Sequence, residues 1–97
     1  MVELRKTQVF ARWIDGLTDL RARARILTRI ERLAQGNAGD VAPVGEAVSE
    51  LRIHYGPGYR VYFIQRGSEL IVLLCGGDKS TQAADIDEAK ALAGEIE

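Results

Sequence analysis

The chain has 97 residues, 46% of them apolar and 28% charged, a balance that fits one folded domain spanning residues 1–97 and excludes disordered, collagen-like and low-complexity classes. Its longest apolar run, Leu70 to Cys75, falls far short of the roughly 20 residues that cross a bilayer, so a water-soluble, cytoplasmic protein without membrane contact is expected. One cysteine and one histidine exclude a disulfide framework and a Cys- or His-rich metal site, and the net charge of -1 conceals a gradient: 8 basic against 4 acidic residues over 1–36, 3 against 3 over 37–66, and 2 against 7 over 67–97.

In chain order, residues 2–6 (VELRK) read as a short edge strand. Thr7 then looks like an N-cap, because Val9, Phe10, Trp13, Ile14 and Leu17 share one helical face; this first helix ends near Gly16. Thr18 is the next expected cap. Leu20, Ala24, Leu27, Ile30 and Ala34 supply an apolar stripe, broadened by Ile26 and Leu33, for a second helix that stops at Gly36. Arg21, Arg25, Arg29 and Arg32 align along that helix, either as a solvated face or as a docking surface for RNA or an acidic partner. Residues 36–47 are rich in Gly and Pro and read as a loop with room for a short strand.

From Ser49 the apolar period shifts to two. Leu51, Ile53 and Tyr55 point one way and Glu50, Arg52 and His54 the other; in the next segment Tyr59, Val61 and Phe63 oppose Arg60, Tyr62, Ile64 and Arg66. Gly56-Pro57-Gly58 joins these two strands, and the apolar run Glu69 to Cys75 forms a third, completing an antiparallel meander. After Gly76-Gly77-Asp78-Lys79, Ser80 or Thr81 caps a last helix with Ile86, Ala89, Ala93 and Ile96 on one face. The expected architecture is therefore α+β: an N-terminal helical hairpin on a three-stranded meander, a possible N-terminal edge strand, and a C-terminal helix. Gly76-Gly77 before a helix start reads either as strand-to-helix punctuation or as a phosphate cradle.

Arg52, His54, Arg60 and Tyr62 gather on the polar side of the meander, and Lys79 arrives from the loop after its third strand. Strand arginines are costly to bury unpaired, so they face solvent, an acid such as Glu50, or an anion. An anion-binding concavity of this make-up suits a phosphodiester, with Arg as forked donor and Tyr or His as a surface for base stacking.

Several blocks carry a resemblance at this point. Phe10-Ala11-Arg12-Trp13, Arg21 to Ile30, Gly36 to Asp40, Glu50-Leu51-Arg52-Ile53, Gly56 to Phe63 (GPGYRVYF) and Gly76 to Gln82 (GGDKSTQ) occur in order over residues 3–95. Together they resemble the phage-derived addiction module killer protein family, a HigB-like branch of the RelE/ParE toxin superfamily. The resemblance implies a RelE/ParE-like fold and the toxin of a type II toxin-antitoxin system. It implies an endoribonuclease that cuts mRNA without metal or cofactor, typically in the ribosomal A site, and is neutralised by a cognate helix-turn-helix antitoxin. By position, Arg60 matches the strand arginine that contacts the scissile phosphate, Lys79 a basic residue after the last strand, and Arg52 a basic position on the preceding strand.

The family's ribonucleases often carry a catalytic Tyr or His near the C-terminus, whereas this chain has no aromatic or His after Phe63. His54, whose ordinary pKa of about 6.5 suits acid-base work, and Asp78 stand as candidates beside Arg60, Arg52 and Lys79, with Tyr62, Arg25 and Arg29 as substrate contacts. Two other readings stay open: a ParE-like poison of DNA gyrase, and a non-catalytic partner-binding module.

Overall fold

The computed structural model describes residues 2–96. Along the chain run β1 (Glu3–Lys6), α1 (Gln8–Asp15), α2 (Leu20–Ala34), β2 (Val41–Gly45), β3 (Val48–Ile53), β4 (Tyr59–Arg66), β5 (Leu70–Gly77), a 3-10 turn (Lys79–Thr81) and α3 (Gln82–Gly94). The strands form one mixed sheet in the order β1-β5-β4-β3-β2, with β1 parallel to β5 and the other neighbours antiparallel.

This corrects the expected helical hairpin on a three-stranded meander. The sheet has five strands, and α1 and α2 do not act as a paired hairpin: α1 packs chiefly on β5 and α2 on β3. The extra strand β2 lies in the segment that reads as a loop. It turns into β3 through Glu46 and Ala47, both with positive φ (53° and 66°), as a two-residue mirror-image turn demands. Such turns ordinarily advertise themselves with Asn-Gly or Gly-Gly, so Glu-Ala gives no sequence signal.

Side-chain alternation divides the sheet between two cores. Phe10 and Ile14 of α1 and Ile26, Ile30 and Leu33 of α2 bury against Leu51, Ile53, Val61, Phe63, Ile71 and Leu73. Full burial of each large apolar side chain contributes roughly 1.5–3 kcal/mol. On the reverse, Ala89, Ile86, Leu92 and Ala93 of α3 cover Val48, Tyr62, Ile64, Val72, Leu74 and Cys75. A bulge between Tyr62 and Phe63 lets both Leu74 and Cys75 turn toward α3, which the strict period of two does not allow.

Caps fix the helix starts. Thr7 accepts from the Phe10 amide at 3.0 Å, as its position predicts. α2 is capped by Asp19 rather than Thr18: one carboxylate oxygen takes the Arg21 and Ala22 amides at 3.0 and 3.1 Å. The buried stripe of α2 is accordingly Ala22, Ile26, Ile30 and Leu33, leaving Leu20, Ala24 and Leu27 outside. The Gly76-Gly77 pair is set by packing: a Cβ on Gly76 would lie 2.3 Å from the Trp13 ring, and one on Gly77 would collide with the Asp85 carboxylate.

Candidate functional site

The register of β3 and β4 places Glu50 opposite Tyr62 and Arg52 opposite Arg60, all on the α3 side of the sheet, with Gly77 of β5 beside Arg60. Two arginines facing each other across a strand pair repel. The fold answers by sinking a carboxylate between them. Glu50 is 1% exposed; its Oε1 accepts from Arg52 Nε at 2.8 Å and lies 3.7 Å from Arg60 Nε, too long for a hydrogen bond. Its Oε2 accepts from Gln82 Nε2 at 2.7 Å and from the Tyr62 hydroxyl at 3.4 Å.

Arg60 is itself 8% exposed, and its Nε has no hydrogen-bond partner among the described residues. Its guanidinium reaches the edge of the cluster near Gly58, where a glycine Cβ would meet Arg60 Nη1 at 3.9 Å and the Lys79 stem at 3.5 Å. Gly58 also has φ of +79°, so the Gly-Pro-Gly turn is held by conformation and by this close approach. Lys79 is exposed and makes no ion pair among the described residues.

The charge series continues from Arg52 in the other direction. Arg52 Nη1 lies 3.6 Å from Asp40 Oδ1, and Asp40 Oδ2 lies 2.6 Å from His54 Nε2. Arg60, Glu50, Arg52 and Asp40 thus form one chain of alternating charge around the end of the sheet, with His54 hydrogen-bonded to its last carboxylate. The hydrogen bond from His54 is the main reason the Asp40 carboxyl sits below its ordinary range, with Arg52 assisting. The Glu50 bond likewise raises the already high pKa of Arg52.

Arg60 and Arg52 are therefore brought together across Glu50, with Lys79 at their border, whereas His54 joins them only through Asp40 and lines the groove beside α2. Tyr62 is not available as a stacking surface: it is wholly buried beneath α3, and burial followed by the Glu50 charge pushes its hydroxyl far above the usual phenol range. Its side chain braces Glu50. Asp78 does not orient Lys79 but caps the 3-10 turn, accepting from the Ser80 amide at 2.8 Å and its hydroxyl at 2.5 Å.

Arg25 and Arg29 lie away from Arg60, on a groove between α2 and the end of β3 that His54 also lines. Arg29 spends its guanidinium on the carbonyls of Arg52 and Ala38, at 2.7 and 3.0 Å, and Arg25 stacks 4.7 Å above Tyr55. Asp40 and Gln82 are site members that the sequence reading missed. Asp40 sits in a Gly-rich loop, and Gln82 meets Glu50 only because α3 folds back, so neither carries a local signal.

The family profile for "Phage derived protein Gp49-like (DUF891)" matches residues 12–94. The chain belongs to the phage-derived Gp49-like family. A Haemophilus influenzae relative (strain Rd), described only as an uncharacterized protein, is 48% identical over 95 residues, covering 98% of this chain and 96% of its own. A Gp49-like chain of this kind also shares its fold with the solution structure of the conserved hypothetical protein HP0894 from Helicobacter pylori. That match has a TM-score of 0.53 at 21% identity and covers 82% of this chain and 97% of the other. No helix of this Gp49-like protein, among the described residues, is long and apolar enough to cross a membrane.

Proposed function

We propose that this Gp49-like protein is the toxin of a type II toxin-antitoxin pair, acting in the cytoplasm as a HigB-like endoribonuclease on ribosome-bound mRNA and neutralised by a cognate helix-turn-helix antitoxin. The observation that carries the reading is the Arg60 guanidinium, buried, short of one hydrogen-bond partner and bordered by the unpaired Lys79. A buried donor without a partner calls for an explanation beyond packing. Glu50 faces the Nε and holds the guanidinium in place, so that its Nη1 end, beside Gly58 and Lys79, is the part a phosphodiester oxygen would meet.

Cleavage of RNA by its own 2′-hydroxyl requires three things: removal of that proton, stabilisation of charge on the pentavalent phosphorus, and a proton for the departing 5′-oxygen. Arg60 and Arg52 stabilise the charge; each aimed donor is worth about 3–4 kcal/mol in an enclosed site. With its Nε2 against Asp40, His54 keeps Nδ1 free to accept the 2′-hydroxyl proton. Lys79 donates toward the leaving oxygen. The reaction so written uses no metal and no cofactor.

Inducible expression in a bacterial host, with growth followed and transcript 5′ ends mapped, tests this directly. Wild type is expected to arrest growth and to produce in-frame mRNA cuts. Arg60→Ala and the charge-keeping Arg60→Lys are expected to lose those cuts by about 100-fold or more while circular dichroism shows them folded. Cuts that persist in folded Arg60→Ala, or arrest with intact transcripts, as a gyrase poison would give, overturn the ribonuclease.

A further inference from the structure

The exposed side of α2 carries an apolar stripe that the fold does not use. Leu20 is 71% exposed and Leu27 45%, and they are two of the three large hydrophobic side chains exposed among the described residues. Seven residues apart, they stand two turns and about 10 Å from each other on one line, with exposed Ala24 between them. Beside this line runs a groove of about 350 Å³, whose apolar floor includes Ala24, Ile53 and Tyr55 and whose rim carries Arg25 and Arg32. Among the described residues no ion pair holds Arg21, Arg25 or Arg32, and α2 itself contains a single acid, Glu31.

We infer that this face of α2 is a docking site for an acidic amphipathic helix of a partner protein, with leucine-type anchors at a spacing of three and four residues and Glu or Asp on their flanks. The anchors lie along Leu20, Ala24 and Leu27 and into the groove floor, while the acids meet Arg21, Arg25 and Arg32. Charge complementarity selects an acidic occupant: residues 1–36 carry 8 basic against 4 acidic side chains, and the free cations of α2 lie next to the apolar line.

The same surface is poorly made for RNA. Single-stranded RNA wants open aromatic faces on which its bases can stack. Here Tyr55 is covered by Arg25, Arg29 is tied to two backbone carbonyls, and the two leucines contribute nothing to a polyanion. The inference rests on the partner half of the proposed function; the groove lies apart from Arg60 and Lys79 but includes His54 in its lining, so an occupant there also covers the proposed base.

Two probes test it by fluorescence anisotropy on the intact protein. One is a synthetic helical peptide of about four turns, with Leu at a spacing of three and four residues and Glu between. The other is a 2′-O-methyl RNA of about ten nucleotides that resists cleavage. The peptide is expected to bind wild type. Its affinity is expected to fall at least about tenfold in Leu20→Gln/Leu27→Gln and, separately, in Arg21→Gln/Arg32→Gln. A companion peptide with Lys for Glu is expected not to bind.

All four positions are exposed, so the variants should retain the fold, which circular dichroism checks. An acidic peptide that does not bind, or that binds both double variants like wild type, overturns the inference. So does RNA affinity that drops in Arg21→Gln/Arg32→Gln while peptide affinity does not. Transcript cleavage is followed in parallel: its absence from wild type sinks the ribonuclease and leaves the peptide result standing, whereas cleavage without peptide binding sinks only the docking surface.

Discussion

Glu50 shows how one side chain ties stability to the proposed chemistry. Four side chains converge on it, two of them cationic, and removing one member of a buried charged cluster leaves the others uncompensated. Glu50→Ala is expected to cost about 3–5 kcal/mol of unfolding free energy in urea titrations, and Glu50→Gln, which keeps the shape, less. If Glu50→Ala unfolds like wild type, the carboxylate is not what holds the two arginines. Gly76 makes a separate case. A methyl group there meets the edge of Trp13 at 2.3 Å, so Gly76→Ala must push the ring aside, at a cost of about 1–3 kcal/mol. Trp13 is the chain's single tryptophan, so a shifted emission maximum in the folded variant would report the displacement, and an unchanged spectrum with unchanged stability would contradict the packing.

At the scale of elements, β3 and β4 are legible from the period of two, β5 from its unbroken apolar run, and the polar row Arg52, Arg60 from alternation. It misplaced what depends on contacts remote in sequence. In α2 the buried stripe is Ala22, Ile26, Ile30 and Leu33, because the sheet takes the side of the broad apolar arc that holds Ile26 and Leu33 and leaves Leu20, Ala24 and Leu27 outside, and the cap is Asp19, one residue past the expected Thr18. The second edge strand lies in the loop that left room for one, its bounds unmarked because its turn is Glu46 and Ala47. The loop before that strand now holds Asp40, whose pairing with His54 makes a pH prediction. Asp40 titrates below its ordinary 3.8 in the folded protein, so its contribution is fully present above that value and is lost as pH falls through the lowered one. Wild type is therefore expected to exceed Asp40→Asn in urea midpoint above the ordinary 3.8, the gap closing as pH falls below it. A gap independent of pH would mean that the carboxylate charge does nothing there.

Across the whole molecule, one sheet serves two cores, and this predicts how the protein comes apart. Trp13 packs with Phe10 at 5.9 Å between ring centres and with Tyr59 at 6.3 Å, on the α1 side. Cys75 lies fully buried on the α3 side, its Sγ 3.5 Å from the Asp85 carbonyl oxygen it donates to. Burial, followed by the charges of Glu88 and Asp85, pushes its thiol up to about 12, so the folded protein should resist alkylation at mildly alkaline pH. The two residues report opposite faces of the same five strands. Because β4 and β5 give side chains to both cores, neither face can dissolve without disturbing the strands that hold the other. Tryptophan emission and iodoacetamide labelling of Cys75 are thus expected to share one urea midpoint, the mark of a single cooperative transition. Labelling that rises at clearly lower urea than the emission change would show α3 lifting off an otherwise intact sheet, and would make the cover over Glu50 and Arg60 a separable part of the fold.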